Sequence, residues 1–161
     1  MAVVYLGVGS NLGDRQANID KALALLKEDS EIDVQDVSHF IETPPEGGVP
    51  GPNYLNGTVK LETDLLPLEL LSRLKGIERR LGRSKPELNA PRPMDLDILF
   101  YDDVVIVEGK HLNIPHPRLA GRLFVLEPLA EIAPDLVHPR LNRTIRELRD
   151  HLLNEIHHPS V

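Results

Sequence analysis

The chain has 161 residues, 41 % of them hydrophobic and 27 % charged, with a formal net charge of −7, which fits one globular domain with a proper core. The acidic balance argues against a general nucleic-acid binder, and no apolar run reaches the length of a membrane span. With no cysteine, disulfides and thiolate metal sites are excluded, and a reducing compartment such as the cytoplasm is compatible.

The N-terminus, "MAVVYLGVGSNL", has neither the basic start nor the small-residue cleavage site of a signal peptide. It reads as a strand over 2–9 that alternates around Val4, Leu6 and Val8. Asp14 is placed to cap a helix whose stripe is Ile19, Ala22, Leu23 and Leu26. Residues 32–42 return as a second strand. The stretch "TPPEGGVPGPN", Thr43 to Asn53, is too rich in proline and glycine for an element and is expected to be a loop. A third strand is predicted over Tyr54 to Thr63, with Leu55, Val59 and Leu61 on one face and Tyr54, Asn56 and Thr58 on the other. Pro67 opens a helix at its favoured first position. Leu70, Leu71, Leu74, Ile77 and Leu81 point inward, and Gly82 is the stop.

A fourth strand starts at Asp95. The order β-α-β-β-α-β predicts an α+β, ferredoxin-like fold with an antiparallel sheet, its helices on one face and its other face open. A short strand pair and helical segments near 118–132 and 143–154 complete the chain. No linker suggests a second domain, so residues 1–161 are expected to form one.

Five features bear on chemistry. The turn "GVGSNLGD" is spaced G-x-G-x-x-x-G, which misses the dinucleotide fingerprint, and no Walker lysine is present. Gly7 and Gly9 are then places where backbone or ligand approaches the strand closely. Between Arg73 and Arg92 stand seven cations against Glu78 and Glu87, which suggests a site for a small polyanion, although Arg79 and Arg80 read as a solvated helix face. In "PRPMDLDILFYDD", Asp95 and Asp97 share one strand face. At about 6–7 Å and an effective dielectric near 20, their charges repel by roughly 2.5 kcal/mol. Water, an arginine or a divalent cation must offset that. His116, Arg118 and Arg122 form a further cluster of donors before Phe124, and with Arg83 and Arg92 they are suited to a triphosphate. A flat heterocycle would suit Tyr54 and Asn56 on the open face.

In order, "LGVGSNLGDR", "TPP", "YLN", "IERRLGR", "PRPMDLDILFYDD" and "IPHPRLAGRLFVLEPLAEIAP" resemble the motifs of the 6-hydroxymethyl-7,8-dihydropterin pyrophosphokinases of folate synthesis, and they cover nearly the whole chain. The resemblance implies transfer of pyrophosphate from ATP, the co-substrate, to the pterin hydroxymethyl group, with release of AMP and use of two magnesium ions. It implies that Asp95 and Asp97 bind the metal and that Arg83 and Arg92 are catalytic-loop arginines facing the phosphates. Tyr54 and Phe124 match the aromatic pair around the pterin, Asn56 a partner of its edge, and Thr43, Pro44 and Pro45 the stretch whose backbone reads the ring. Glu78, His116 and Arg122 match nucleotide-side contacts, with Ile98 near the adenine. Asn11 falls in the family's first mobile loop, where the resemblance gives it no role.

One stretch departs from the pattern: "SKPELNAPR" has Leu88, Asn89 and Ala90 where relatives carry a basic residue and a tryptophan. Lys85 is then expected to supply some of the nucleotide-side charge. No nucleic acid or membrane partner is expected, and the chain is expected to be a monomer or weak homodimer. Two other readings stay open: another magnesium-dependent nucleotide transferase on this scaffold, and a non-catalytic ferredoxin-like module that binds a small ligand.

Overall fold

Val4, Leu6 and Val8, at alternate positions of β1 (Ala2–Ser10), are almost inaccessible and face the helices α1 (Arg15–Glu28) and α2 (Pro67–Arg80). The computed structural model describes residues 1–82, 91–108 and 111–157. Asp14 caps α1 as the sequence suggests, its carboxylate accepting from the Ala17 N–H at 3.0 Å. Leu70, Leu74 and Ile77 of α2 are buried, and after α2 the chain turns at Gly82, whose φ of +100° is costly for a residue with a Cβ.

The central strand β1 pairs antiparallel along its whole length with β4 (Tyr54–Thr63) and, on its other side, with β5 (Asp95–Tyr101). Outside β4 lie β2 (Ile32–Val37) and β3 (Ile41–Thr43), both antiparallel to it. Taking β2 and β3 as one broken strand, the order is that of a ferredoxin-like α+β fold.

The strand expected over 32–42 is interrupted, and the cause is local packing. The Ser38 N–H still donates to the Thr58 carbonyl and its Oγ accepts from the Thr58 N–H, and Ile41 is already opposite Asn56. Two residues, His39 and Phe40, therefore stand opposite the single Gly57, as at a β-bulge. The Phe40 ring lies over Gly57, where an added Cβ would sit 2.6 Å from a ring carbon. His39 bonds the Glu131 carboxylate through its main-chain N–H and its ring. Thr43, expected in the loop, is the last residue of β3 and is paired with Tyr54. The loop beyond it contains one 3-10 turn, Glu46–Gly48.

The second face of the sheet is not left open. Helices α3 (Leu123–Ile132) and α4 (Ile145–His157) build a second core on it with Tyr5, Leu99 and Phe100. A register shift makes this possible. Tyr5 is opposite Phe100, but Leu6 is opposite Ile98, so Leu99 is an extra residue. Leu99 and Phe100 thereby both reach the second core, and Tyr101 returns to the first. A short pair, β6 (Ile106–Val107) and β7 (Asn113–Ile114), lies near the outer side of β5. What α3 leaves uncovered is the end of the sheet where β1, β4 and β5 carry Gly9, Asn56 and Asp95.

Candidate active site

That end of the sheet is the floor of a cavity of about 540 Å³. On β1 the floor is glycine. Gly7 is opposite Asp97 and Gly9 opposite Asp95, so the central strand raises no side chain between the carboxylates and Asn56, which pairs with Gly9 from β4. The two glycines are not equivalent. A Cβ on Gly7 would meet Leu99 at an ordinary 3.5 Å, whereas one on Gly9 would stand 2.6 Å from Oδ1 of Asn56.

Asp95 and Asp97 are both half-buried and line the cavity. Arg92 supplies part of what offsets their repulsion, with Nη1 3.8 Å from Oδ1 of Asp95. The donor set suits a hard divalent cation: two carboxylates, i and i+2 on one face, with the remaining ligands to come from phosphate oxygens and water.

The cavity also wraps the outer edge of β5. It is bordered by Asp95 and Asp97 from one face, Leu96 and Ile98 from the other, and Leu71, Lys75 and Glu78 of α2. Ile98 belongs to the helix-side core yet reaches this lining. Glu78 is 5 % exposed, and its Oε2 accepts from the Leu96 N–H at 2.8 Å. The carboxylate thus takes the place of a strand partner between the two aspartates. Three residues beyond Leu96, the main-chain N–H of His116 donates to the carbonyl of Leu99 at 3.0 Å.

Burial, with the charges of Arg122 and Arg118 next, pushes the His116 imidazole down to about 4, against the opposing pull of Asp95 and Glu46. The ring is therefore neutral at neutral pH. Its Nδ1 accepts from the Arg118 N–H at 3.2 Å, which assigns the proton to Nε2 and makes that atom a donor.

On the other side stand Tyr54 and Asn56 of β4, Thr43, Pro44 and Pro45, and Phe124 at the start of α3. Nδ2 of Asn56 donates to Oγ1 of Thr43 at 2.7 Å, which orients the amide. The Arg122 guanidinium lies 5.6 Å from the Phe124 ring centre. It also holds the Glu46 carboxylate through two bonds of 2.8 and 2.7 Å, joining the proline-glycine loop to the start of α3.

The thirteen predicted site residues that fall among the described ones, from Thr43 to Phe124, all border this one cavity. Arg83 and Lys85 lie outside the described residues. Arg79 and Arg80 are exposed and away from the lining. Sequence reasoning missed Glu46 and counted Lys75 only as one of the seven cations between Arg73 and Arg92. Glu46 is the sole acid in its loop, so charge complementarity with the arginine cluster was the available signal. Lys75 is one helical turn before Glu78, a spacing that places both on one side of α2.

Among known proteins, residues 5–134 match the family model described as 7,8-dihydro-6-hydroxymethylpterin-pyrophosphokinase. The 2-amino-4-hydroxy-6-hydroxymethyldihydropteridine pyrophosphokinase of Aquifex aeolicus is 42% identical over 149 residues, covering 92% of this chain and 91% of that protein. The enzyme of the same name from Bacillus subtilis is 43% identical over 130 residues, or 81% of this chain and 77% of that one. The folic acid synthesis protein fol1 of Schizosaccharomyces pombe is 43% identical over 93% of this chain, which spans only 20% of that longer protein. In fold, the wild-type HPPK-DHPS of Plasmodium falciparum with SDX-DHP aligns with a TM-score of 0.79 at 17% identity, over 96% of this chain and 45% of that one. By its motifs, its match and the identity it shares with full-length relatives, the chain belongs to the 7,8-dihydro-6-hydroxymethylpterin-pyrophosphokinase family.

Proposed function

We propose that the chain transfers pyrophosphate from ATP to the hydroxymethyl group of 6-hydroxymethyl-7,8-dihydropterin, releasing AMP, as a step of folate biosynthesis. The observation that carries this reading is that one cavity of about 540 Å³ joins an aspartate pair and Arg92 to Tyr54, Asn56 and Phe124. A binding module that held only a flat heterocycle would not need the carboxylates and the arginine beside it.

In the reaction, the hydroxymethyl oxygen bonds to the β-phosphorus and the bond from that phosphorus to the α–β bridging oxygen breaks. AMP leaves with the electron pair, and the hydroxyl proton passes to solvent. Tyr54 and Phe124 hold the ring between them and Asn56, oriented by Thr43, bonds its edge, so the hydroxyl is aligned rather than free to tumble. Arg92 sits where negative charge grows on the phosphates. The neutral His116 donates through Nε2 to the nucleotide, and Arg122 adds a cationic fork.

Asp95 and Asp97 would hold magnesium, two ions in the expected form; bound there, it neutralises phosphate charge and favours ionisation of the hydroxyl. The chain is proposed to act as one domain over 1–161, cytoplasmic, and as a monomer or weak homodimer.

The test is AMP release measured by coupled assay, with each of ATP, hydroxymethyldihydropterin and magnesium omitted in turn. AMP formed only with all three supports the reading. AMP formed without the pterin would point to a different nucleotide transferase, and tight pterin binding with no AMP at all to a non-catalytic module.

A further inference from the structure

The structure assigns Asn11 as a positioning residue for Arg92. Asn11 follows the last residue of β1 and is 5 % exposed. Its main-chain N–H donates to the carbonyl of Arg92 at 3.0 Å, and its side-chain Oδ1 accepts from the Arg92 N–H at 2.7 Å. Both main-chain polar groups of Arg92 are thus held by one residue, 81 positions away in the chain. Nδ2 of Asn11 reaches the other way, to the carbonyl of Pro52 in the proline-glycine loop, at a longer 3.4 Å.

The placement explains why an amide is needed. Arg92 stands three residues before β5, outside the sheet ladder that would otherwise fix its backbone. An N–H left unmet in this half-buried position is costly, and a hydrophobic side chain at 11 would leave it so. An aspartate would supply the acceptor but not the donor toward Pro52, and would bring a charge into an anion site.

Asparagine supplies both contacts without charge. The Cα of Arg92 is thereby anchored to the end of the central strand, the same strand that is in register with Asp95 and Asp97. The guanidinium swings from a fixed point relative to the carboxylates. Displacing a group that acts on the phosphates by an ångström is enough to cost one to two orders of magnitude in rate. The inference rests on the reading of Arg92 as a phosphate-facing residue.

A kinetic cycle on the full chain tests it, using Asn11→Ala, Arg92→Ala and the double variant, with pterin affinity measured alongside. Asn11→Ala is expected to lower kcat by about tenfold or more while pterin affinity stays within about twofold. In the Arg92→Ala background it should lower kcat no further, because two residues acting through one group are not additive. Asn11→Asp keeps the acceptor but loses the donor and adds a charge, so it should recover only part of the rate lost in Asn11→Ala. Hydrogen exchange at the Arg92 amide should accelerate in Asn11→Ala and not in Asn11→Asp.

An Asn11→Ala loss of equal factor with and without Arg92 would overturn the inference, as would an unchanged kcat in the single variant. If Arg92→Ala itself turns over normally, the reading of Arg92 fails and the kinetic role of Asn11 falls with it, whatever the exchange shows. Should Asn11→Ala not fold, Asn11→Leu, which keeps the branched shape and lacks both polar atoms, takes its place in the same cycle.

Discussion

Gly9→Ala is a one-methyl perturbation whose effect on the floor of the cavity can be worked through. The φ of Gly9 is not in the left-handed region, so alanine is acceptable to the backbone and gains about 0.5–1 kcal/mol over glycine within a strand. The new Cβ would stand 2.6 Å from Oδ1 of Asn56, with Cδ1 of Tyr54 at 3.4 Å. Oδ1 must retreat by about 0.8 Å to reach an ordinary contact, which disturbs the 2.7 Å bond from Asn56 to Thr43.

That bond is worth about 0.5–1.5 kcal/mol, roughly the size of the backbone gain, so stability should stay nearly level. Ligand binding has no such compensation. If the displaced amide loses its contacts to the pterin edge, at about 1 kcal/mol each for two, affinity falls roughly 30-fold. Calorimetric titration with hydroxymethyldihydropterin measures this directly, beside thermal unfolding as a control. In an Asn56→Ala background the clash has no target, so Gly9→Ala should then cost almost nothing. Equal losses in both backgrounds, or wild-type affinity in the single variant, would refute the reasoning.

Asp97→Ala should abolish AMP release while apo stability stays level or rises, because one of two mutually repelling carboxylates, a repulsion of roughly 2.5 kcal/mol, is removed; turnover near normal at saturating magnesium would contradict the metal assignment. Gly57→Ala should destabilise by about 1–3 kcal/mol through overpacking, since its Cβ would meet three carbons of the Phe40 ring at 2.6 to 2.8 Å; denaturant midpoints decide, and a Gly57→Ala midpoint equal to wild type would exclude the clash. Burial, with the Arg140 charge next, lowers the His138 imidazole below its usual range, and its Nδ1 accepts from the Arg140 and Leu141 N–H groups. The folded state then binds fewer protons than the unfolded, so this contribution is complete above about pH 6.5 and is lost as pH falls toward the folded value. Wild type should lose more stability between pH 7.5 and 5.5 than His138→Asn, and parallel losses would dismiss the effect.

The pattern of apolar residues was a sound guide wherever one element faces one core. Val4, Leu6 and Val8 alternate inward, β4 runs from Tyr54 to Thr63, and α2 begins at Pro67 and is followed by a turn at Gly82. Period alone also put Asp95 and Asp97 on one side. What was not legible depends on partners distant in the chain. The break at His39 and Phe40 follows from a ring settling over Gly57, and nothing local to 32–42 announces it. The covering of the second face needs the register shift at Leu99, which brings Leu99 and Phe100 into one core with α3 and α4. Glu78 has the spacing of a core position and the chemistry of a surface one; its bond from the N–H of Leu96 helps to resolve the conflict. The Glu46–Arg122 pair spans 76 positions, beyond any window of periodicity.

Strand β5 is the last strand of its sheet on that side, and such a strand invites a second chain to add to it. Here the outward N–H of Leu96 is taken by Glu78, and the carbonyl of Leu99 by the main chain at His116. A strand approaching this rim would have to displace both, and would present its own carbonyl to a buried carboxylate. The rim is therefore guarded against self-templated growth at the place where the aspartates must stay open to solvent. Because the guard is a side chain on α2 rather than a further strand, the cavity keeps its border along that same edge.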